Sequence, residues 1–432
     1  MSILKTYARD VYIVDGIRTP FLKAAGKPGP FSASDLAVAA CKTLLLRQPF
    51  AVDETVAGCV MPSPDEVNIG RIIGLRAGCG IHTPGVTVQR NCASGLQALD
   101  TAAQDIAAHR YGLILSGGTD AMSRAPLLFN NKMVNWLARW YAARSMGQRA
   151  ALITQFRPAY FAPVIALLRG LTDPLVNLSM GQTAEILAYK FKISRQEMDA
   201  FALRSHQHLA KAQDEKHFDD EITPLYDTKG QVYAADNGLR RDTTLEKLAT
   251  LKPFFDKKFG AVTAGNSAQI TDGAAFLMLA DGETVKQHNL PVLGRIVDTS
   301  WAALAPSEMG LGPAYAIPPL LKRNYLRLDD IDYWEINEAF AAQVIACLRA
   351  LEDEAYCKQY FGLDRAFGHI PMEKLNVDGG AIAMGHPVGA SGARLVLHLL
   401  HILRRTKSRY GVASLCIGGG QGGAMLVENL QS

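Results

Sequence analysis

The sequence predicts an α/β fold in which helices cover buried β-sheets. Three observations predict it. Short apolar, β-branched runs alternate with stretches of helical period up to about residue 123 and again from residue 260 onward. Glycines, 38 in all, gather where these runs end, near the two ends of the chain. At 432 residues and 48% hydrophobic content, the chain exceeds one ordinary core, so two or three packed units are expected.

The elements follow in order. Residues 11–16 (VYIVDG) read as a first buried strand. Residues 32–47 (SASDLAVAACKTLLLR) begin with a capping Ser and Asp and continue with helical period. GCVMP (58–62) reads as a second strand, and 68–78 as a helix. The run VTVQR (86–90) reads as a strand, and a helical period then starts at Leu96, Leu99, Ala103 and Ile106. YGLILSGGTDAMS (111–123) is a strand running into a glycine-rich loop. Helical signal returns over 173–217, where Ser194 and Glu197 form a capping box. Residues 260–280 are a Gly/Ser loop followed by an apolar element. WEINEAFAAQVIACLRAL (334–351) is a short strand entering a helix. A glycine-rich turn and a long amphipathic helix fill 375–405, and 410–430 reads strand, glycine turn, strand. Both ends of the chain thus run glycine-rich turn, helix, basic residue, Tyr-Gly, apolar strand, glycines, which suggests an internal duplication.

Composition narrows the class of protein. A net charge of +4 is mild and gives no reason to expect nucleic acid as a partner. The seven cysteines (41, 59, 79, 92, 347, 357, 416) are odd in number, and none forms a CxxC pair. No His cluster has metal spacing, so no metal is expected. Free thiols fit a reducing cytoplasm. The N-terminal stretch is charged too early for a signal peptide, and no run of eighteen uninterrupted apolar residues would make a transmembrane helix.

Four stretches carry candidate chemistry. In RNCASG, Cys92 stands where a buried strand turns into a helix, where free N–H groups and the helix dipole would favour the nucleophilic thiolate. In GHPVGASG (385–392), a rigid turn would aim His386 as a general base. In CIGGGQGG (416–423), Cys416 ends a strand before a glycine turn. The GxGxxG spacing of Gly418, Gly420 and Gly423 is not a dinucleotide site, because a strand follows it rather than a helix. Its backbone N–H groups suit a developing oxyanion instead. In NEAFAAQ (337–343), Asn337 is either a helix cap or a group holding a water in the site. A small, glycine-rich turn, TAGNSAQITDGAA (263–275), would admit the narrow arm of a long ligand.

NCASG, NEAF, GGAIAxGHPxGxSG and CxGGGxG, in that order and at these intervals, resemble the thiolases along essentially the whole chain. The resemblance implies an αβαβα core of two duplicated halves (1–124 with 255–290, and 291–432), with a loop domain over 125–254. Condensing enzymes of fatty-acid synthesis share that fold but carry two histidines, or His and Asn, beside the nucleophile; a second cysteine favours a thiolase. The implied reaction is cleavage of a 3-ketoacyl-CoA through an acyl-enzyme on Cys92, with coenzyme A as co-substrate and no permanently bound cofactor. His386 would activate Cys92, and Cys416 would protonate the leaving enolate. One oxyanion hole would be His386 with a water on Asn337; the other, the N–H groups of Cys92 and Gly418. A biosynthetic acetyl-CoA acetyltransferase is the alternative in the same fold. A catalytically silent lipid-binding or scaffold subunit is the alternative of another class.

Met180 resembles the family residue beside the thioester. Ser179 stands where many thiolases have His, and GNSAQ replaces the common GNASG, so that Ala268, after Ser267, takes the place of a pantetheine-contacting serine. The resemblance also implies a homodimer or homotetramer. The loop segment and residues 245–264 resemble the β chains of trifunctional fatty-oxidation complexes, which implies a hydratase/dehydrogenase partner chain. Those chains often have His where this one has Asn337.

Residues 124–172 hold Arg124, Lys132, Arg139, Arg144, Arg149, Arg157 and Arg169 and no acidic residue, interleaved with Trp, Tyr and Phe. CoA phosphates and a docking partner are two explanations for this charge. The third is peripheral contact with anionic membrane, with Met133, Trp136, Leu137 and Trp140 on the lipid-facing side of a helix.

Overall fold

The computed structural model describes residues 7–431. A long sheet runs through the molecule, and its strand order divides into two matching series. The first series is Gly85–Val88, Glu54–Gly58, Leu113–Ala121, Thr271–Ala280 and Val11–Arg18. The second is Tyr333–Ile336, Tyr410–Ile417, Gln421–Glu428 and Gly294–Ala303. Its missing outer member is reduced to one bridge between Trp334 and Leu375. Val11–Ile13 pairs antiparallel with Gly294–Ile296 and joins the two series. The duplication expected from sequence is therefore a topological one.

Most elements fall where short-range signals put them. Ser32 caps the helix Ala33–Arg47 through a box with Asp35, and Ser194 caps Arg195–Asp214 through a box with Glu197. Asn68 caps Ile69–Ala77, and Gly78 ends it at φ 104°. The second strand is a correction: it is Glu54–Gly58, upstream of GCVMP. Its residues pair with Ile114–Gly118. Cys59 to Met61 leave the sheet, and the N–H groups of Val60 and Met61 turn to the buried Asp120 carboxylate.

Two central helices, Ser94–Ala107 and Val388–Thr406, pack against each other and against the sheet. At Gly95 and Gly392 they meet without a side chain between the backbones. A Cβ on Gly95 would lie 2.7 Å from the Gly389 carbonyl oxygen, and one on Gly392 would lie 2.4 Å from the Leu96 nitrogen. Residues 122–270 leave the sheet after Leu113–Ala121 and return at Thr271–Ala280, the strand hydrogen-bonded beside it. Arg18, fully buried on the first strand, anchors the excursion by ion pairs to Glu221 and Asp236.

Within residues 124–172, strands Leu127–Phe129 and Pro163–Ile165 form a hairpin, with helices Asn131–Ala142 and Met146–Thr154 between them. The lipid-facing side expected for the first helix is turned inward. Met133 is buried, Trp136 donates to the Leu152 carbonyl, and Trp136 stacks on Trp140 and meets Phe156. These side chains pack the two short helices against each other and against Phe156. Among the described residues, no helix is long and apolar enough to cross a membrane.

The helix crossing yields a stability prediction. Gly392→Ala should cost about 1–3 kcal/mol, because backbone must move to admit the methyl group. Thermal unfolding reads it as a lower midpoint; an unchanged midpoint would mean that the helices are free to separate.

Candidate active site

Cys92 precedes the helix Ser94–Ala107 by two residues, and His386 precedes Val388–Thr406 by two. The helix crossing brings both turns to one place. Cys416 ends the strand Tyr410–Ile417, and Asn337 follows Tyr333–Ile336, the parallel neighbour of that strand. Asn337 N–H donates to the Ser414 carbonyl.

Cys416 is buried beside Cys92. Burial and the neighbouring Cys92 push the Cys416 thiol well above its ordinary range. Cys92 is partly exposed by surface area, yet its sulfur is enclosed, and burial raises its thiol as well; the Gly418 N–H directed at the sulfur works in the opposite sense. This corrects the expected thiolate. The helix N-terminus offers the sulfur only part of its donors, the N–H of Cys92 itself, which works with that of Gly418 to lower the thiol. Ala93 N–H donates to the Arg90 carbonyl and Ser94 N–H to the Asn91 carbonyl, so the turn consumes donors that would stabilise a thiolate.

His386 is held by its neighbours in one tautomer. Ser391 Oγ donates to the Pro387 carbonyl at 3.0 Å, so it accepts from His386 Nδ1–H at 2.6 Å. Nε2 then carries the ring's lone pair and faces the amide of Asn337. Burial, followed by the Arg394 charge, lowers His386 to about 3, so the ring is a neutral base at physiological pH. Asn337 Nδ2 lies 3.4 Å from Nε2, and Asn337 Oδ1 is buried without a protein partner. Asn337 caps no helix: the cap position of Ala341–Glu352 is Phe340. Its Oδ1 is suited to a bound water.

Supporting contacts fix these groups. Glu338, fully buried, accepts from Ser205 Oγ, Asn376 Nδ2 and Ile382 N–H, and so ties the Asn337 turn to the 376–385 loop. Asp120 accepts from Gly389 N–H at 2.6 Å, across the two halves. The 263–269 turn lies between the motifs: Ala268 N–H donates to the Ala339 carbonyl, and His386 N–H to the Gln269 carbonyl. Ser267 Oγ donates to the Thr263 carbonyl. Ser179 caps Met180–Lys190 through a box with Gln182, and Met180 Sδ would lie 3.3 Å from a Cβ at Gly418. Cys92, His386, Cys416, Asn337, Gly418 and Met180 thus gather in one site, with Ser267 and Ala268 in the turn beside it. Arg124 donates to the Gly29 carbonyl.

Sequence reasoning passed over Asn91, Asp120, Glu338 and Ser391. The local signals were slight: an Asn in a tight turn, single acids in otherwise apolar stretches, and a Ser in a glycine-rich turn. Among the described residues, no group of three or more His, Cys, Asp or Glu could hold a metal ion.

The site suits covalent acyl transfer: a nucleophilic sulfur, a neutral base, a second thiol that keeps its proton, and backbone donors near the reacting centre. Comparison with known proteins agrees. The family model for the thiolase N-terminal domain matches residues 11–283, and that for the thiolase C-terminal domain matches residues 290–429. The chain is 39% identical to the human mitochondrial 3-ketoacyl-CoA thiolase over 428 residues, 98% of each chain. It is 37% identical to the 3-ketoacyl-CoA thiolase of Serratia proteamaculans over 433 residues, 99% of each. The crystal structure of the human mitochondrial enzyme in complex with CoA superposes with a TM-score of 0.85 at 38% identity, covering 98% of both chains. The acetyl-CoA acetyltransferase of Bacillus anthracis superposes with a TM-score of 0.84 at 35% identity, covering 98% of this chain and 100% of that one. The chain belongs to the thiolase family.

Proposed function

We propose that the protein is a 3-ketoacyl-CoA thiolase, cleaving 3-ketoacyl-CoA with coenzyme A to acetyl-CoA and a shortened acyl-CoA. The observation that carries this reading is the meeting of two thiols, Cys92 and Cys416, both raised by burial, with His386 beside Asn337. His386 Nε2 takes the Cys92 proton as the sulfur adds to C3 of the substrate. The oxyanion is received by the N–H groups of Cys92 and Gly418. The C2–C3 bond breaks, and its electrons pass to the enolate of acetyl-CoA, whose oxygen faces His386 Nε2–H and a water on Asn337. Cys416 donates its proton to C2 and becomes the thiolate. Incoming CoA returns a proton to Cys416 and attacks the acyl group, and Cys92 leaves with the proton held by His386. A thiol that burial keeps protonated is what the C2 step requires.

The same site runs in reverse as an acetyl-CoA acetyltransferase. Relative rates with acetoacetyl-CoA and longer 3-ketoacyl-CoAs separate the two uses. The scaffold reading leaves this assembled site without a purpose.

The segment 124–172 supports a second proposal, that the protein binds anionic membrane peripherally. Its seven cations have no acidic neighbour within the segment. The hairpin exposes Leu127 (69%) opposite Ile165 (40%), and Phe129 (59%) and Phe161 (66%) are open to solvent. Apolar side chains among cations match a headgroup region, with each Lys or Arg worth about 1 kcal/mol near an anionic surface.

Four outcomes are expected. Intact mass after incubation with acyl-CoA shows an acyl adduct on wild type and none on Cys92→Ala; an adduct on that variant removes Cys92 from its role. Cys416→Ala keeps acylation by simple acyl-CoA but loses C–C cleavage. With burial raising Cys92 and lowering His386, no thiolate–imidazolium pair forms at neutral pH. Iodoacetamide alkylation of Cys92 therefore climbs continuously from about pH 6 to about pH 9. A plateau across neutrality would show an ion pair. In vesicle co-sedimentation, wild type pellets with anionic vesicles at low salt, and Phe129→Ser/Phe161→Ser does not. Wild type left in the supernatant would assign the segment to a partner chain or to CoA.

A further inference from the structure

The donor that faces the Cys92 sulfur sits in a run of three glycines. Gly418, Gly419 and Gly420 form the turn between the strands Tyr410–Ile417 and Gln421–Glu428, with φ of 91° at Gly419 and 80° at Gly420. A run of glycines has the largest range of backbone conformations, and nothing in its own side chains holds the Gly418 N–H in place. An oxyanion donor is effective only when fixed before the charge develops.

The far end of the turn is held within its own half, where Leu304 N–H donates to the Gly420 carbonyl at 2.8 Å; the near end, at Gly418, is held from the other half of the molecule. Asn91 Nδ2 donates to the Gly418 carbonyl at 2.7 Å. The next residue back, Arg90, reaches the far end of the same turn: its Nη1 donates to Gln421 Oε1 at 3.3 Å, and its guanidinium lies 4.1 Å above the Trp301 ring. Asn91 is itself immobilised. Its carbonyl accepts from Ser94 N–H at 3.0 Å and from Ser94 Oγ at 2.7 Å, and Arg90 N–H donates to Ser94 Oγ at 2.9 Å. Its backbone is left-handed, at φ 43°, a conformation that Asn tolerates better than most side chains. That conformation points the amide across the site to Gly418.

We propose that Asn91 is a positioning residue of the acyl oxyanion hole: its amide fixes the Gly418 carbonyl, and through it the direction of the Gly418 N–H over the Cys92 sulfur. The role rests on the acyl-transfer reading above and adds to it a residue that does not itself touch the substrate.

Two variants isolate the amide. Asn91→Gly accepts the left-handed backbone without strain but frees the chain. Asn91→Asp keeps the shape and the backbone preference but replaces the donor with a charge. The loss common to both is the amide N–H. Both should lower kcat for 3-ketoacyl-CoA cleavage about ten- to a hundredfold, part of what loss of an oxyanion donor costs, with KM little changed. Both should also move the pH profile of Cys92 alkylation by iodoacetamide to higher pH, because the Gly418 N–H no longer opposes the effect of burial on the thiol. That measurement needs no acyl-CoA, so it reads the placement of Gly418 even if wild type forms no acyl adduct, a result that would remove the acyl-transfer reading instead. A wild-type alkylation profile in both variants overturns the proposal. So does a lower thermal midpoint with an unmoved profile, which would make Asn91 structural only, or a raised KM with kcat intact, which would make it a ligand contact.

Discussion

The site depends on the close crossing of two helices at their N-terminal ends. Gly95 lies against the Gly389 carbonyl and Gly392 against the Leu96 nitrogen, so the two backbones touch where a side chain would hold them apart. Each helix is preceded at the same short distance by a reactive residue, Cys92 on one and His386 on the other. The crossing therefore sets the distance between nucleophile and base. It exists because two series of strands with the same order each present a central helix, and the pairing of Val11–Ile13 with Gly294–Ile296 joins them. Asp120, accepting from Gly389 N–H, adds a hydrogen bond across the same junction.

Burial then decides the protonation states. It raises the thiols of Cys92 and Cys416 and lowers His386, and so disfavours charge on all three groups of the site. Other buried charges of the interior are paired. Arg394 donates to Glu335 with both side chains fully buried, and this pair joins the helix that carries the His386 turn to the strand that leads to Asn337. Burial still raises the Glu335 carboxyl to about 7. Elsewhere Glu221 and Asp378 overcome burial to hold His398 as an imidazolium, raised to about 10. Losing one partner of such a pair costs several kcal/mol, because the other charge stays buried.

The segment 124–172 shows how a polar-apolar pattern can be read on the wrong side. The helical spacing of Met133, Trp136, Leu137 and Trp140 did mark one face, but a face with that much apolar area is buried if any neighbour is available. Met146–Thr154 and Phe156 are that neighbour. The apolar side chains left outside belong to the hairpin and the loop ends, where no periodicity announces them.

Much of the fold was legible in the chain because its signals are short-ranged. Capping boxes at Ser32 and Ser194, the glycine stop at Gly78 and the β-branched runs each lie within a few residues. The glycine turns and the reactive residue types of the four motifs were equally visible, and they sufficed for the family resemblance. The strand at Glu54–Gly58 was misplaced because its register is set by Ile114–Gly118, not by its own residues. The state of the site was beyond the sequence for the same reason. Whether Cys92 is thiol or thiolate depends on burial and on where turn carbonyls take the N–H groups. Asn91 and Gly418 are 327 residues apart, and Asn337 and His386 are 49 apart. Local sequence encodes the conformation of a turn; only tertiary packing, across the halves for Asn91 and Gly418 and within one half for Asn337 and His386, brings two such turns within hydrogen-bond reach.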